Sequence, residues 1–493
     1  MGRSPSMSTF EAKTIMPCDG ATLYAWHARP GALERLTPPW QSVRIAERKP
    51  GEDHPRIGNG AIARLMIGVG PFELPWIAEH FDHDPPRQFC DRQLAGPFGS
   101  WSHTHRFHDL GGGRSELEDS IRYTPPAGPL GSMFLGGKLA KDLERLFWFR
   151  HERTRADLER HARATEPMSI AIAGSSGLLG SALAAFLSTG GHRVIRLVRR
   201  TPEVDPIDGI EQRRWDPGSH DISPAILADV DAVVNLCGAN IARGRWTARR
   251  KAQLESSRVG PTQTLASAIA ALPSADRPKL LINASGVHAY GDAGDEPLTE
   301  ASDHGEGFLP ALVKRWEAAT KPAQAVGVRV VHARLGMVLG ARGGALKSLL
   351  TPARFGLAGP IGSGRQWWPW IGLDDAIGAM HFLLSQSKLE GPVNICAPNA
   401  ATANDVAGAI AEAVRRPSAL GLPASAAKAL LGEQMASEML LGSTRAEPAA
   451  LEAASFRWMH PTLLDAIGWE LGVRRLIDRA SPSTPSPIIA ETA

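Results

Sequence analysis

The chain has 493 residues, too many for one ordinary hydrophobic core, so two or three domains are expected. Its 54 Lys and Arg against 51 Asp and Glu leave a formal charge of +3, which gives no electrostatic case for nucleic-acid binding. Cys18, Cys90, Cys237 and Cys396 lie far apart with no CxxC pair, so neither a disulfide framework nor a zinc site is expected, and a reducing compartment fits.

The first seven residues, Met1-Gly-Arg-Ser-Pro-Ser-Met7, lack the apolar run of a signal peptide, and Met7 offers an alternative start. No apolar stretch is long enough to span a bilayer, and a cytoplasmic location is expected. Over residues 1–165, strands are predicted at 40–46, 60–69, 89–94, 101–107 and 116–123. Gly, Pro and Asp clusters separate them, among them Gly111-Gly112-Gly113 and Pro125-Pro126. A short helix is predicted near Ala21 to Leu36. A long one follows from Leu135, Leu139, Leu143, Leu146 and Phe147 at three- and four-residue spacing. The mixed charges of Arg150 to Arg163 read as its solvated continuation. His103 and His105 project from one face of a strand. Neither they nor His108 have an acidic or Cys partner at ligand spacing, so the expectation is a polar strand face and no metal.

From Met168 strands and helices alternate. Strands are predicted at 168–173, 192–198, 231–236, 279–284, 328–335 and 391–396, and helices around 178–188, 250–271, 308–325 and 374–386. Such alternation predicts a parallel sheet covered on both faces, with the ligand crevice at the carboxyl ends of its strands. The first unit holds Gly174-Ser175-Ser176-Gly177-Leu178-Leu179-Gly180 between a strand and a helix. Glycines at that spacing let backbone N–H groups and the helix N-terminus face a pyrophosphate. Where many such folds place an acidic residue for the ribose, this chain has Arg199 and Arg200. A guanidinium fork would hold a 2′-phosphate, so NADP is favoured over NAD. Past residue 415 the chain turns helical and rich in Ala and Leu, and its Ser/Pro/Thr end predicts a disordered tail.

Residues 8–160 resemble the START-like, or SRPBCC, helix-grip family. The resemblance rests on Phe10-Glu-Ala-Lys-Thr-Ile-Met-Pro, on the Trp101-Ser-His-Thr-His-Arg-Phe107 strand and on the closing amphipathic helix. It implies a curved sheet wrapped around that helix, an apolar cavity between them, and a lipid-like or other hydrophobic ligand.

Residues 168 to about 473 resemble the extended or atypical short-chain dehydrogenases/reductases, and within them the epimerase family proteins related to sugar-nucleotide epimerases. The matching blocks include Asn235-Leu-Cys-Gly-Ala-Asn-Ile241, Ser257-Arg-Val, Asn283-Ala-Ser-Gly-Val-His-Ala-Tyr-Gly291, Trp316-Glu317, Arg334-Leu-Gly-Met-Val-Leu-Gly340 and the stretch 423–461. The resemblance implies that Leu236, Cys237, Gly238 and Ala284 join the glycine loop in lining the cofactor.

A dehydrogenase of this kind uses a Ser, a Tyr and a Lys four residues after the Tyr. The chain has only Tyr24, Tyr123 and Tyr290, so the second region has no Tyr-x-x-x-Lys. By resemblance the two slots fall near Leu309 and Val313, and Lys314 reads as a surface residue. Ser285 and Tyr290 remain as the catalytic candidates, with His288 placed on a loop surface.

The expected architecture is therefore an α+β helix-grip domain over 1–165, then an α/β Rossmann domain with a doubly wound parallel sheet over 166–400. A helical extension over 401–475 and a tail over 476–493 complete it. The expected activity is that of an NADP-binding epimerase or oxidoreductase acting on a hydrophobic or sugar-like small molecule. The alternative is a non-catalytic nucleotide- and lipid-binding or redox-sensing protein.

Overall fold

The computed structural model describes residues 7–70, 72–126, 128–163, 166–200, 209–219, 222–418, 420–480 and 488–490. Strand β1 (Ser8–Met16) is followed by helices α1 (Gly20–Ala28) and α2 (Ala32–Leu36). The single helix expected there is broken because Pro30 lacks an N–H and Gly31 turns the chain at φ 86°. Strands β2 (Val43–Lys49), β3 (Ile62–Val69), β4 (Phe72–Asp84), β5 (Gln88–Ala95), β6 (Ser100–Gly111) and β7 (Arg114–Thr124) then run antiparallel. Strand β4 is absent from the sequence reading because Pro75 lies within it and its first residues are exposed, which removes the apolar alternation.

Helix α3 (Gly128–His161) spans 34 residues and lies against this sheet. Leu143 and Phe147 of α3 pack with Phe10, Ala12, Trp101, Ile121 and Tyr123 of the strands. The expected solvated face after Arg150 is instead buried: His151 and Thr154 are 0% exposed and Asp157 is 1% exposed. His151 faces Thr14 and Asp119, and Asp157 faces Arg35, all of the N-terminal domain. The second domain reaches the same helix through Asp374 at Arg153 and Asp375 at Arg160.

In the second domain β8 (Ser169–Ala173), α4 (Leu178–Thr189), β9 (Arg193–Val198), β10 (Glu211–Arg214), β11 (Ala232–Asn235), α5 (Ala248–Ala271), β12 (Leu280–Gly286) and α6 (Phe308–Ala318) alternate. Among the described residues the parallel sheet runs β10-β9-β8-β11-β12, then Arg329–Leu335 and Gly391–Ile395. Its strands read as near-continuous apolar runs because helices cover both faces, and Ile170, Ile172, Val234, Ile282 and Val331 form its core.

The C-terminal residues do not all follow the tail expectation. Arg474–Ala480 is helical, and Ile488–Ala490 adds an antiparallel edge strand to β1, with Glu11 opposite Ala490. An unpaired sheet edge offers backbone donors and acceptors that even a polar tail can use. Residues 481–487 and 491–493 of that tail, and residues 164 and 165 at the expected domain junction, lie outside the described residues.

Candidate functional site

The carboxyl ends of β8, β11 and β12 lie side by side, since Asn235 pairs with Ala173 on one flank and with Asn283 on the other. A buried set of hydrogen bonds fixes this edge. Asn235 Nδ2 donates to Thr262 Oγ1 at 2.8 Å and to Asn283 Oδ1 at 2.7 Å, and Trp316 Nε1 donates to Thr262 Oγ1 at 3.0 Å.

The glycine loop opens from β8. Gly174 sits at φ 76°, and a Cβ there would come 2.7 Å from the Leu236 carbonyl carbon. A Cβ on Gly180 would lie 2.4 Å from the Gly174 oxygen, so α4 can approach the strand only with glycine at that point. Gly177 differs: its added Cβ would meet only the Gly174 oxygen, at 3.4 Å. Gly177 is also the N-cap of α4, with no side-chain cap, so the first turn presents its N–H groups outward. Ser176 and Gly177 are exposed, Ser175 is buried, and Leu178 and Leu179 are half-buried.

Leu236 and Cys237 are half-buried, Gly238 is exposed and Ala284 is buried along the adjoining strand ends. Burial pushes the Cys237 thiol up to about 12, so it stays protonated and unreactive at neutral pH. Arg199 and Arg200 follow the last residue of β9, are exposed, and make no ion pair among the described residues. The structure thus brings every residue expected at the cofactor to one edge of the sheet.

Ser285 lies at the carboxyl end of β12 and Tyr290 just beyond it, as the sequence implies, and both are buried. Ser285 is 3% exposed, and its hydroxyl donates to Glu317 Oε1 at 2.6 Å. Glu317 accepts from both Nε and Nη2 of Arg334 at 2.9 Å. Arg334 Nη1 donates to the Tyr290 hydroxyl at 3.1 Å, and that hydroxyl donates to Asn394 Oδ1 at 2.7 Å. Tyr290 is 3% exposed and packs with Val287, Leu298, Cys396 and Ala446. Its phenol is raised above the ordinary range by burial, with Arg334 opposing. The geometry therefore sets Tyr290 in a buried ion-pair network, with its hydroxyl committed both as donor to Asn394 and as acceptor from Arg334. Burial works against the Glu317 charge, yet Arg334 holds its carboxyl below the usual range.

The apolar slots are as the sequence implies: Leu309 is 2% and Val313 5% exposed on α6, and Lys314 is exposed. Helix α6 has no side-chain cap of its own at Gly307. The Glu438 carboxylate from the C-terminal extension accepts from the N–H groups of Phe308 at 3.1 Å and Leu309 at 2.7 Å. That contact ties the extension to the crevice. His288, expected on a loop surface, is half-buried in a short 3-10 turn, and burial pushes its imidazole down to about 4, with Glu438 opposing and Arg258 reinforcing the shift.

Arg258 follows Ser257 on α5, and the sequence alone assigns it no role. It is 9% exposed, donates to Leu254 O and Ala239 O, and lies 5.3 Å over the Trp316 ring. Its only advance signal was its place in the Ser257-Arg-Val block.

Residues 170–396 match the NAD dependent epimerase/dehydratase family, residues 16–149 match the polyketide cyclase / dehydrase and lipid transport family, and residues 422–470 match a domain of unknown function. An epimerase family protein of Mycobacterium bovis is 45% identical over 300 residues, covering 61% of this chain and 96% of the relative. The Homo sapiens epimerase family protein SDR39U1 is 34% identical over 300 residues, covering 60% and 97%. Among solved structures, a nucleoside-diphosphate sugar epimerase from Corynebacterium glutamicum aligns over 95% of this chain and 91% of its own, at 30% identity and TM-score 0.75. Human SDR39U1 with NADPH aligns over 62% and 98%, at 32% identity and TM-score 0.55.

Proposed function

This chain belongs to the epimerase family, and on that premise we propose that its parallel-sheet domain binds NADP in preference to NAD and uses it on a hydrophobic or sugar-like small molecule, by hydride transfer or epimerisation. The supporting observation is the uncapped N-terminus of α4 opening at Gly177, beside two exposed arginines at the end of the neighbouring strand. Outward N–H groups and the helix dipole favour a diphosphate there, and Gly177 leaves room for it. Arg199 and Arg200 supply donors for a 2′-phosphate where a carboxylate would repel one. The human relative solved with NADPH points the same way.

The cofactor supplies a hydride donor or acceptor when bound. Leu236, Cys237, Gly238 and Ala284 border its course. Ser285, Glu317, Arg334 and Tyr290 act by holding the crevice floor rigid. His288, neutral at pH 7, offers a hydrogen-bonding and proton-accepting nitrogen at that floor. In the N-terminal domain, a cavity of about 360 Å³ bordered by Leu65, Ile67, Trp76, Trp101 and Leu143 suits a hydrophobic small molecule, which the fused domain would hold or present.

Fluorescence titration of the full chain with NADPH and NADH tests the cofactor reading. Replacing both arginines (Arg199→Ala with Arg200→Ala) should weaken NADPH about 10- to 100-fold, the worth of charge-assisted hydrogen bonds, and leave NADH unchanged. Equal losses for both nucleotides refute the phosphate assignment.

A second reading has its own support in the apolar Leu309 and Val313 slots and the committed Tyr290 hydroxyl. In it the nucleotide is held without turnover, and the fusion senses redox state or carries a lipid-like ligand. Tight NADPH binding with no oxidation across a panel of carbonyl compounds would select this reading.

A further inference from the structure

Strand β6 crosses the floor of the N-terminal cavity, and its inward side chains are Trp101, His103, His105 and Phe107. The neighbouring strands supply what the linear sequence does not show. Asp91 of β5 stands opposite His103, and Asp119 of β7 stands opposite His105. His103 is 3%, His105 7% and Asp119 2% exposed. His108, on the outer face, pairs instead with Glu118.

We propose that Asp91, His103 and His105 bind a divalent transition-metal ion on the cavity floor, with Asp119 orienting both imidazoles. One donor atom from each of the three residues lies within 4.8 Å of the other two. Asp91 Oδ2 is 3.2 Å from His103 Nδ1 and 3.8 Å from His105 Nε2. Metal–ligand bonds of about 2.0–2.2 Å at tetrahedral angles place donors roughly 3.3–3.6 Å apart, so a small adjustment closes the site.

The opposite ring nitrogens carry the outer support such a site needs. His103 Nε2 hydrogen-bonds Asp119 Oδ1 at 2.9 Å, and His105 Nδ1 lies 2.6 Å from the same oxygen. Asp119 is itself held through Oδ2 by His151 Nε2 at 2.6 Å, and His151 is anchored on Thr14. A carboxylate behind each ligating imidazole fixes tautomer and ring direction.

His105 gives an independent pointer. No hydrogen bond reaches its Nε2 among the described residues: that nitrogen faces Asp91 Oδ2 at 3.8 Å, beyond hydrogen-bond reach. A buried imidazole in that state is costly unless something else engages it. An ion between Nε2 and the Asp91 carboxylate supplies that engagement.

Two imidazoles and one carboxylate suit Zn²⁺, Fe²⁺ or Co²⁺ better than Ca²⁺ or Mg²⁺, which prefer oxygen donors. Three protein ligands leave a position open toward the cavity, where Leu143 and Trp76 form part of the wall. The ion would accept a carbonyl or hydroxyl oxygen of an otherwise apolar ligand there.

The test uses the full chain, freed of metal with a chelator. Calorimetric titration with Zn²⁺ should give one ion per chain and a raised Tm. Co²⁺ should shift imidazole proton resonances of two histidines in the NMR spectrum. Asp91→Asn or His105→Gln should abolish uptake, Asp119→Asn should weaken it about 10- to 100-fold, and His108→Gln should leave it unchanged. Near-UV circular dichroism reports whether each variant is folded. If a variant fails to fold, the wild-type Co²⁺ spectrum still decides. Folded wild-type protein that takes up neither ion, shows no shifted histidine resonances, or loses nothing on His105→Gln overturns the proposal.

Discussion

Arg35 of the N-terminal domain and Asp374 of the second domain meet at 3.0 Å, with side chains 4% and 2% exposed. Arg35 also grips Asp157 of α3 through two hydrogen bonds of 2.6 and 2.8 Å. Asp374 takes further donors from Arg153 at 2.7 Å and Trp469 Nε1 at 2.7 Å. The two domains are thus joined through a buried cluster of charges, flanked by the Trp148, Phe149 and Trp469 rings. Removing one member strands its partners in a low-dielectric setting, so Asp374→Ala should cost about 3–5 kcal/mol. Calorimetry should then show one unfolding transition splitting into two, because the domains lose their coupling. A single unshifted transition would count against the cluster as the joint.

The same cluster sets an acid limit. Burial opposes the charge on Asp374, but Arg153 and Arg35 prevail and hold its carboxyl well below the usual range. A depressed folded pKa contributes stability that is present above the unfolded value of about 3.9 and is lost as pH falls toward the folded one. Tm of the wild type should therefore fall steeply below about pH 4, and that acid dependence should be shallower in Asp374→Asn.

Glu470 behaves in the opposite sense. It is 2% exposed, and burial together with the nearby Asp374 raises its carboxyl to about 7. Its Oε2 accepts from the Ala341 N–H at 2.7 Å, which an amide oxygen can also do. A raised pKa gives stability that is present below the unfolded value and lost as pH rises through about 7. Glu470→Gln should be more stable than wild type at pH 8, by on the order of a few kcal/mol, with the gap closing toward pH 5. Melting curves at the two pH values decide it. A variant equally or less stable at pH 8 refutes the assignment.

The parallel sheet and its glycine turn were legible because each is a local pattern: an apolar run, a G-x-x-G-x-x-G spacing and an amphipathic helix follow one another in the chain. What failed to show was pairing at long range. Nothing in the sequence around Arg150 to Arg163 says that Asp374 and Trp469 lie over it, so buried ionic residues read as a solvated face. His103 and His105 looked unpartnered because Asp91 and Asp119 become their neighbours only through strand register. Tyr290 sat at the right strand end, but its direction depends on Arg334 and Asn394, which come from two later strands.

The glycine loop separates folding from ligand binding. Gly177→Leu puts a side chain into space where only the Gly174 oxygen lies near, at a φ of −74° that any residue adopts. Its Tm should stay close to that of wild type while NADPH affinity drops about 100-fold, roughly 3 kcal/mol. Gly180→Ala, whose Cβ would sit 2.4 Å from the Gly174 oxygen, should instead lower stability by about 1–3 kcal/mol through overpacking. If Gly177→Leu binds NADPH as well as wild type does, the diphosphate is not held at this turn.

The buried network around Arg334 makes the last distinction, between a tyrosine that does chemistry and one that holds shape. Glu317→Gln keeps the volume but leaves Arg334 facing no counter-charge, with side chains 4% and 9% exposed in the original pair. That loss should cost about 3–5 kcal/mol. Tyr290→Phe removes one donor and one acceptor, leaving Asn394 Oδ1 and Arg334 Nη1 short of a partner each, and should cost about 1–3 kcal/mol. Because Tyr290 is 3% exposed and its hydroxyl is bound to Asn394 and Arg334, Tyr290→Phe should leave NADPH affinity unchanged, and any turnover that the wild type shows should keep its pH profile. A Tyr290→Phe variant that melts like wild type but loses one limb of that pH profile would return the tyrosine to the reacting groups.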